Sequence, residues 1–154
     1  MTRLAIFVSS FCYVGFSPVA PGTAGSAAGL VLYWLLRRSG SAGLEAAAIV
    51  GLFAVGCWSA TVAERQFGTD DPGQVVLDEV VGMLVTLAYL PFSWRVVVLG
   101  FVLFRVFDIF KPYPGSRAER LPAGLGVMAD DAVVAVYANL LLRLGIWLAP
   151  GWLV

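Results

Sequence analysis

Two pairs of adjacent acids stand out in a chain otherwise poor in charge: Asp78-Glu79 and Asp130-Asp131. Neighbouring residues on a helix diverge by about 100°. One member of each pair can therefore face a metal while the other meets a second metal, a water or a base. Carboxylates crowded into one small space repel each other and raise each other's pKa unless a cation neutralises them. A hard divalent ion with oxygen ligands, Mg2+ above all, suits Asp78, Glu79, Asp130 and Asp131. A plainer account is electrostatic, since acids in a helix's first turn gain about 0.3–1 kcal/mol and Asp130 could be an N-cap. It serves for one pair. It explains less well why two pairs and Asp108 gather in one part of the chain's plan.

Basic and hydroxyl residues flank these acids. Arg105, Asp108 and Lys111 follow at i, i+3 and i+6, so each is a neighbour of the next on a helix face. They form either a run of ion pairs holding a helix end or a phosphate clamp, with Arg105 and Lys111 on phosphate oxygens. Lys111-Pro-Tyr-Pro-Gly then breaks the helix, which frees Lys111 to reach. Pro21-Gly-Thr-Ala-Gly-Ser26 leads into another helix, where Thr23 and Ser26 add donors at a positive terminus. It lacks the lysine and glycine spacing of a P-loop, and the plain alternative is a loop with a Thr N-cap. Gly124-Leu-Gly126 reads as a turn before the last helix. Gly82 lies on the face of Asp78, where membrane helices pack closely.

Composition removes other chemistries. The 154 residues include ten basic, ten acidic and no histidine, so histidine-based zinc sites, phosphohistidine intermediates and histidine bases are excluded. Cys12 and Cys57 lack a CxxC partner and lack the arginine six residues on that a phosphate-binding cysteine loop requires; both read as small buried hydrophobes. Balanced charge argues against a nucleic-acid partner. The chain is 60% hydrophobic and 13% charged, against about 25% charged in a soluble domain, with mean hydropathy +0.87. So few charges cannot cover a soluble surface, and the bilayer is the natural solvent.

The charge-free intervals locate the elements that must position these residues. They predict helices over 2–14, 25–38, 43–66, 75–91, 94–109 and 130–148. The expectation is an all-α, compact bundle of about six helices, membrane-embedded, as a single domain over 1–154. No run alternates with the period of a strand, and no linker separates two domains. If consecutive helices run up and down, the turns at 37–42 and 90–95 fall at one end with both termini. The segments 15–25, 67–75 and 110–129 fall at the other. That second end collects the acidic stretch Asp70-Asp71, both acid pairs, Arg105, Asp108 and Lys111, and the loop carrying Arg117, Glu119 and Arg120. Ionisable groups bordering membrane segments are costly and usually functional.

Four segments together resemble the signatures of the phosphatidylglycerophosphatase A family: Gly15-Phe-Ser-Pro-Val-Ala-Pro-Gly-Thr-Ala-Gly-Ser26, Asp78-Glu-Val-Val-Gly-Met83, Phe104-Arg-Val-Phe-Asp-Ile-Phe-Lys-Pro-Tyr-Pro114 and Gly124-Leu-Gly-Val-Met-Ala-Asp-Asp131. They occur in the family's order and cover nearly the whole chain. Departures are mild. Phe110 and Tyr113 stand where tryptophans are expected, Ala123 replaces a frequent glycine, and Val134-Ala135 replaces a more usual Ala-Gly, which could set the last helix slightly farther from its neighbour. None touches a carboxylate. The resemblance implies a Mg2+-dependent membrane phosphatase that converts phosphatidylglycerophosphate to phosphatidylglycerol and phosphate. It also implies a multi-pass protein of the bacterial inner membrane with its site facing the cytoplasm.

Both readings meet at metal-assisted phosphoryl transfer. Asp78, Glu79, Asp130 and Asp131 would hold one or two Mg2+ ions, lowering the pKa of a coordinated water. Asp108 would ligate or orient the water, and Asp131 would share in catalysis. Arg105 and Lys111 would offset charge on the lipid phosphate, with Thr23 and Ser26 as further donors. The alternative is a small non-enzymatic membrane transporter or cation-pathway protein. It predicts acids spread along helix midsections, whereas 46–63 and 83–89 carry none. Lysines and arginines divide evenly between the ends, so charge alone does not orient the protein, and oligomeric state is not legible.

Overall fold

The computed structural model describes residues 1–154 as an all-helical chain. Its helices are α1 (Thr2–Ser9), α2 (Pro21–Arg38), α3 (Ala42–Phe67), α4 (Leu77–Leu87), α5 (Trp94–Phe110), α6 (Gly115–Ala118), α7 (Gly124–Leu148) and α8 (Pro150–Leu153), with a 3-10 turn at Val14–Phe16. All six expected helices are present as α1 to α5 and α7, and α6 and α8 are short additions.

The shortest of the main helices after α1 sits at the centre. Nine of the eleven residues of α4 are buried. It packs against α2, α3, α5 and α7, because its apolar residues occupy every face rather than one stripe. Met83, Leu84 and Leu87 join Tyr33, Phe104, Val134, Ala138 and Leu142 in the main core. Small residues allow the close approach. A Cβ on Gly82 would overlap the Phe104 ring, and one on Gly124 would overlap the α3 backbone at Cys57 and Thr61. Val134 and Ala135 are fully buried, so the last helix packs tightly despite their bulk.

Helices α3 and α7 are long and apolar enough to cross a membrane. Ser41 caps α3, its Oγ accepting the Leu44 N–H at 3.2 Å, and Gly68 ends the helix in a left-handed conformation at φ 71°. Only 22% of the most apolar window of α3 is buried, with Val50, Val55 and Trp58 turned outward. A soluble core helix would hide those side chains. Large apolar residues are exposed along α2, α5 and α7 as well, among them Val31, Trp34, Val98, Val102 and Leu140.

Several boundaries differ from the sequence expectation, each for a local reason. The first helix stops at Ser9 rather than 14, because Phe11, Cys12 and Tyr13 all take positive φ and turn the chain back. Cys12 is consequently exposed and Cys57 half-buried, so neither is the buried hydrophobe expected. Helix α2 starts at Pro21, not 25, since proline at N1 lacks only an N–H that would be unbonded there. Pro21 to Ser26 is therefore helix rather than loop, and Thr23 is not its cap. The last helix starts at Gly124 rather than 130. Gly124-Leu-Gly126 is its first turn, held where Thr61 Oγ1 accepts the Gly124 N–H at 3.0 Å. Asp130 and Asp131 thus sit in its second turn, which removes the N-cap account of Asp130.

Candidate active site

Asp78 and Glu79 open α4, where the chain enters after the Val76 N–H donates to Ser9 O at 2.9 Å. About two turns inside α7, Asp131 comes level with them. One carboxylate oxygen from each of Asp78, Glu79 and Asp131 lies within 4.8 Å of the others. Asp78 Oδ1, Glu79 Oε2 and Asp131 Oδ2 are buried without any hydrogen-bond partner. Buried polar atoms are almost always satisfied, and an unpaired buried charge is strongly unfavourable. Three such oxygens of one sign, converging from two helices, make a set of donors suited to a hard cation.

The fourth expected ligand is engaged elsewhere. Asp130 Oδ1 accepts the Asp131 N–H at 2.7 Å, and Asp130 Oδ2 takes a short hydrogen bond and ion pair from Lys111 Nζ. Lys111 reaches it because α5 ends there in a left-handed residue, φ 39°. Burial alone would lower the Lys111 pKa, but the hydrogen bond and charge of Asp130 raise it, so the ammonium stays charged. Asp130 therefore holds Lys111 in place beside the cluster.

Arg105 binds the second group together. Its Nη1 lies 2.7 Å from Asp108 Oδ2, 3.3 Å from Ser26 Oγ and 3.8 Å from Glu79 Oε1, while its buried Nε has no partner. Ser26 Oγ donates in turn to Gly22 O at 2.9 Å. Asp108 adjoins Asp131 as well as Arg105. The α2 terminus contributes mostly by being slim. A Cβ on Gly22 would overlap Glu79 Oε1 and come within 3.1 Å of both Arg105 terminal nitrogens. Thr23 lies on the exposed side of α2, with no side-chain hydrogen bond to this network.

Expected residues from four distant segments, Asp78, Glu79, Arg105, Asp108, Lys111, Asp130, Asp131 and Ser26, thus form one connected group. Two further residues were not assigned from the sequence. Gly22 was read only as part of the Pro21–Ser26 stretch leading into a helix; its close approach to Glu79 depends on how α2 meets α4. Asp71 belonged to the acidic stretch Asp70-Asp71, but nothing local marks it from Asp70. It turns at φ 46° and stands between the buried cluster and a cavity of about 640 Å³ lined by Glu64, Asp70, Asp71, Ser116, Glu119 and Arg120. Partial desolvation raises its carboxyl pKa; Lys111 pulls it down, and Glu119 and Asp108 push it up. A headgroup-sized space therefore opens beside the charged network.

The family model for phosphatidylglycerophosphatase A matches residues 7–146. A protein of Bacteroides thetaiotaomicron, provisionally named a phosphatidylinositol-3-phosphatase, is 39% identical over 86% of this chain and 87% of its own length. Phosphatidylglycerophosphatase A of Haemophilus influenzae is 38% identical over 77% of this chain and 74% of its own. Phosphatidylglycerophosphatase A of Escherichia coli is 35% identical over 79% and 72%. No solved structure matches the fold closely enough to be called similar.

Proposed function

The chain belongs to the phosphatidylglycerophosphatase A family and is a phosphatase, and from that premise we propose that it removes the terminal phosphate of phosphatidylglycerophosphate at a membrane surface, with Mg2+. The observation that carries the reading is the trio of buried, unpartnered oxygens on Asp78, Glu79 and Asp131. Those three residues would hold the ion. When bound, it would supply Lewis acidity toward the phosphate and acidify a coordinated water.

The rest of the work falls to side chains already in place. Arg105 and Lys111 offset negative charge on the phosphate oxygens, and each is kept pointed by a carboxylate, Asp108 and Asp130 respectively. Asp108 gives one oxygen to Arg105 and keeps the other for the attacking water, which it orients and from which it accepts a proton. Ser26 braces Arg105 from below. With no histidine in the chain and no cysteine in this network, direct attack by water fits the residues present better than a covalent intermediate. The acyl chains stay in the bilayer, and the headgroup enters through the cavity beside Asp71.

Outward apolar faces on α2, α3, α5 and α7 support a multi-pass protein of the bacterial inner membrane, and the resemblance to the family favours a site turned toward the cytoplasm. A transporter would need its carboxylates strung along a path, whereas here they converge at one end. The name of the Bacteroides relative adds phosphatidylinositol 3-phosphate as a second substrate to examine. Purified protein in detergent should release phosphate from phosphatidylglycerophosphate, lose that activity in EDTA and regain it with Mg2+. Equal or faster release from phosphatidic acid or phosphatidylinositol 3-phosphate would move the substrate assignment. Activity undiminished by EDTA would remove the metal.

A further inference from the structure

The far end of α4 carries a polar fastening that the chemistry above does not use. At about 1.5 Å per residue, the eleven residues of α4 span roughly 16 Å, half of a bilayer's hydrocarbon core. Its last carbonyls therefore end inside the molecule, where a helix leaves most of them without backbone partners, although Val85 O accepts the Ala88 N–H at 3.2 Å. Asn139 of α7 meets them. Its side-chain amide donates to Val85 O at 3.2 Å, Thr86 O at 3.0 Å and Ala88 O at 3.1 Å. Its Oδ1 accepts the Arg143 Nε–H at 2.8 Å, and Arg143 Nη2 donates to Ala88 O at 3.1 Å. One amide and one guanidinium close the end of the helix.

The spacing ties this fastening to the carboxylates. Helix α4 starts at the site, α7 passes it about two turns in, and from there the two run side by side. Asn139 follows Asp131 by eight residues, and Thr86 follows Asp78 by eight. Each interval is about 12 Å of helix. The two helices are thus pinned at matching heights, so a slide of α4 along α7 that parted Asp78 and Glu79 from Asp131 would break the carbonyl contacts. We propose that Asn139, held by Arg143, is a positioning residue that sets the axial register of α4 against α7 and so pre-assembles the Asp78–Glu79–Asp131 cation site.

This rests on the metal-dependent reading above and is tested on the full chain in detergent. Mn2+ affinity is read by EPR without substrate, beside the Mg2+ dependence of phosphate release. Asn139→Leu should weaken Mn2+ binding about tenfold, as losses behind a metal ligand commonly do. Half-maximal Mg2+ should rise by a similar factor, with the KM for lipid unchanged and kcat recovered at high Mg2+. Asn139→Gln, which keeps the donor, should recover most of the affinity. Should Asn139→Leu fail to fold, Arg143→Gln removes only the outer contacts and should shift Mn2+ affinity about threefold in the same direction. Leu142→Ala, a core change beside them, should lower thermal stability without moving the Mn2+ affinity. Equal Mn2+ affinity in wild type and Asn139→Leu, or in Arg143→Gln where the first does not fold, overturns the register role alone. Wild-type protein that neither binds Mn2+ nor depends on Mg2+ overturns the metal reading, and the register proposal with it.

Discussion

Each end of the bundle buries carboxylate, and they do it in opposite ways. Away from the site, Glu45 is 3% exposed and satisfied: its Oε1 accepts the Tyr89 N–H at 3.4 Å and Arg37 Nη1 stands 3.7 Å from its Oε2. At the site, Asp78, Glu79 and Asp131 are packed together with one oxygen each left bare. One arrangement is finished by protein groups and serves to join α2, α3 and the α4–α5 turn. The other leaves three buried oxygens without a protein partner. Incomplete satisfaction, rather than acidity or burial alone, sets the three acids of the proposed site apart from Glu45.

The sharpest way to break that contrast is to neutralise one acid at each end. Asp131→Asn or Asp78→Asn should cut phosphate release at least about a hundredfold, the loss expected when a metal-held phosphate is released from its anchor. The metal-free variants should also melt above the metal-free wild type, because the change relieves repulsion between buried like charges. A lower melting temperature in both would mean that the three acids are structural. Gly22→Ala is next in size. Its methyl would displace Glu79 or Arg105, so activity should fall about tenfold with little change in melting. Wild-type rates in Gly22→Ala would show that Glu79 can move freely.

At the opposite end, Arg37→Leu should leave the activity of folded protein within about twofold and cost about 1–2 kcal/mol of stability, since Glu45 keeps the Tyr89 N–H. A collapse of activity without unfolding would join the two ends functionally. Thr23→Val should have the smallest effect, within about twofold in KM, because that hydroxyl faces away from the network. A large KM increase would restore Thr23 to the substrate site.

Much of this site was legible in the residues before any packing was known. Asp78-Glu79 and Asp130-Asp131 are conspicuous because charges are rare in the chain, and alternating helix direction sends both pairs to one end. The pairing within that end was not legible. Asp130 and Asp131 are equivalent in type and position along the sequence; the 100° between them on α7 sends one to Lys111 and the other to the cluster. Asn139 drew no notice because a lone amide in an apolar helix has no local signal. Its meaning depends on α4 stopping after eleven residues, beside it.

Residue types and their order determined that this is a helical, strongly apolar chain without histidine chemistry, its few acids concentrated in short clusters. These are properties of residue type and period, which no packing arrangement can undo. Tertiary structure decided which oxygens go unpaired, which base holds which acid, and how α4 and α7 are set in height. Such choices turn on ångström-scale distances between segments far apart in the chain, and no local pattern encodes them.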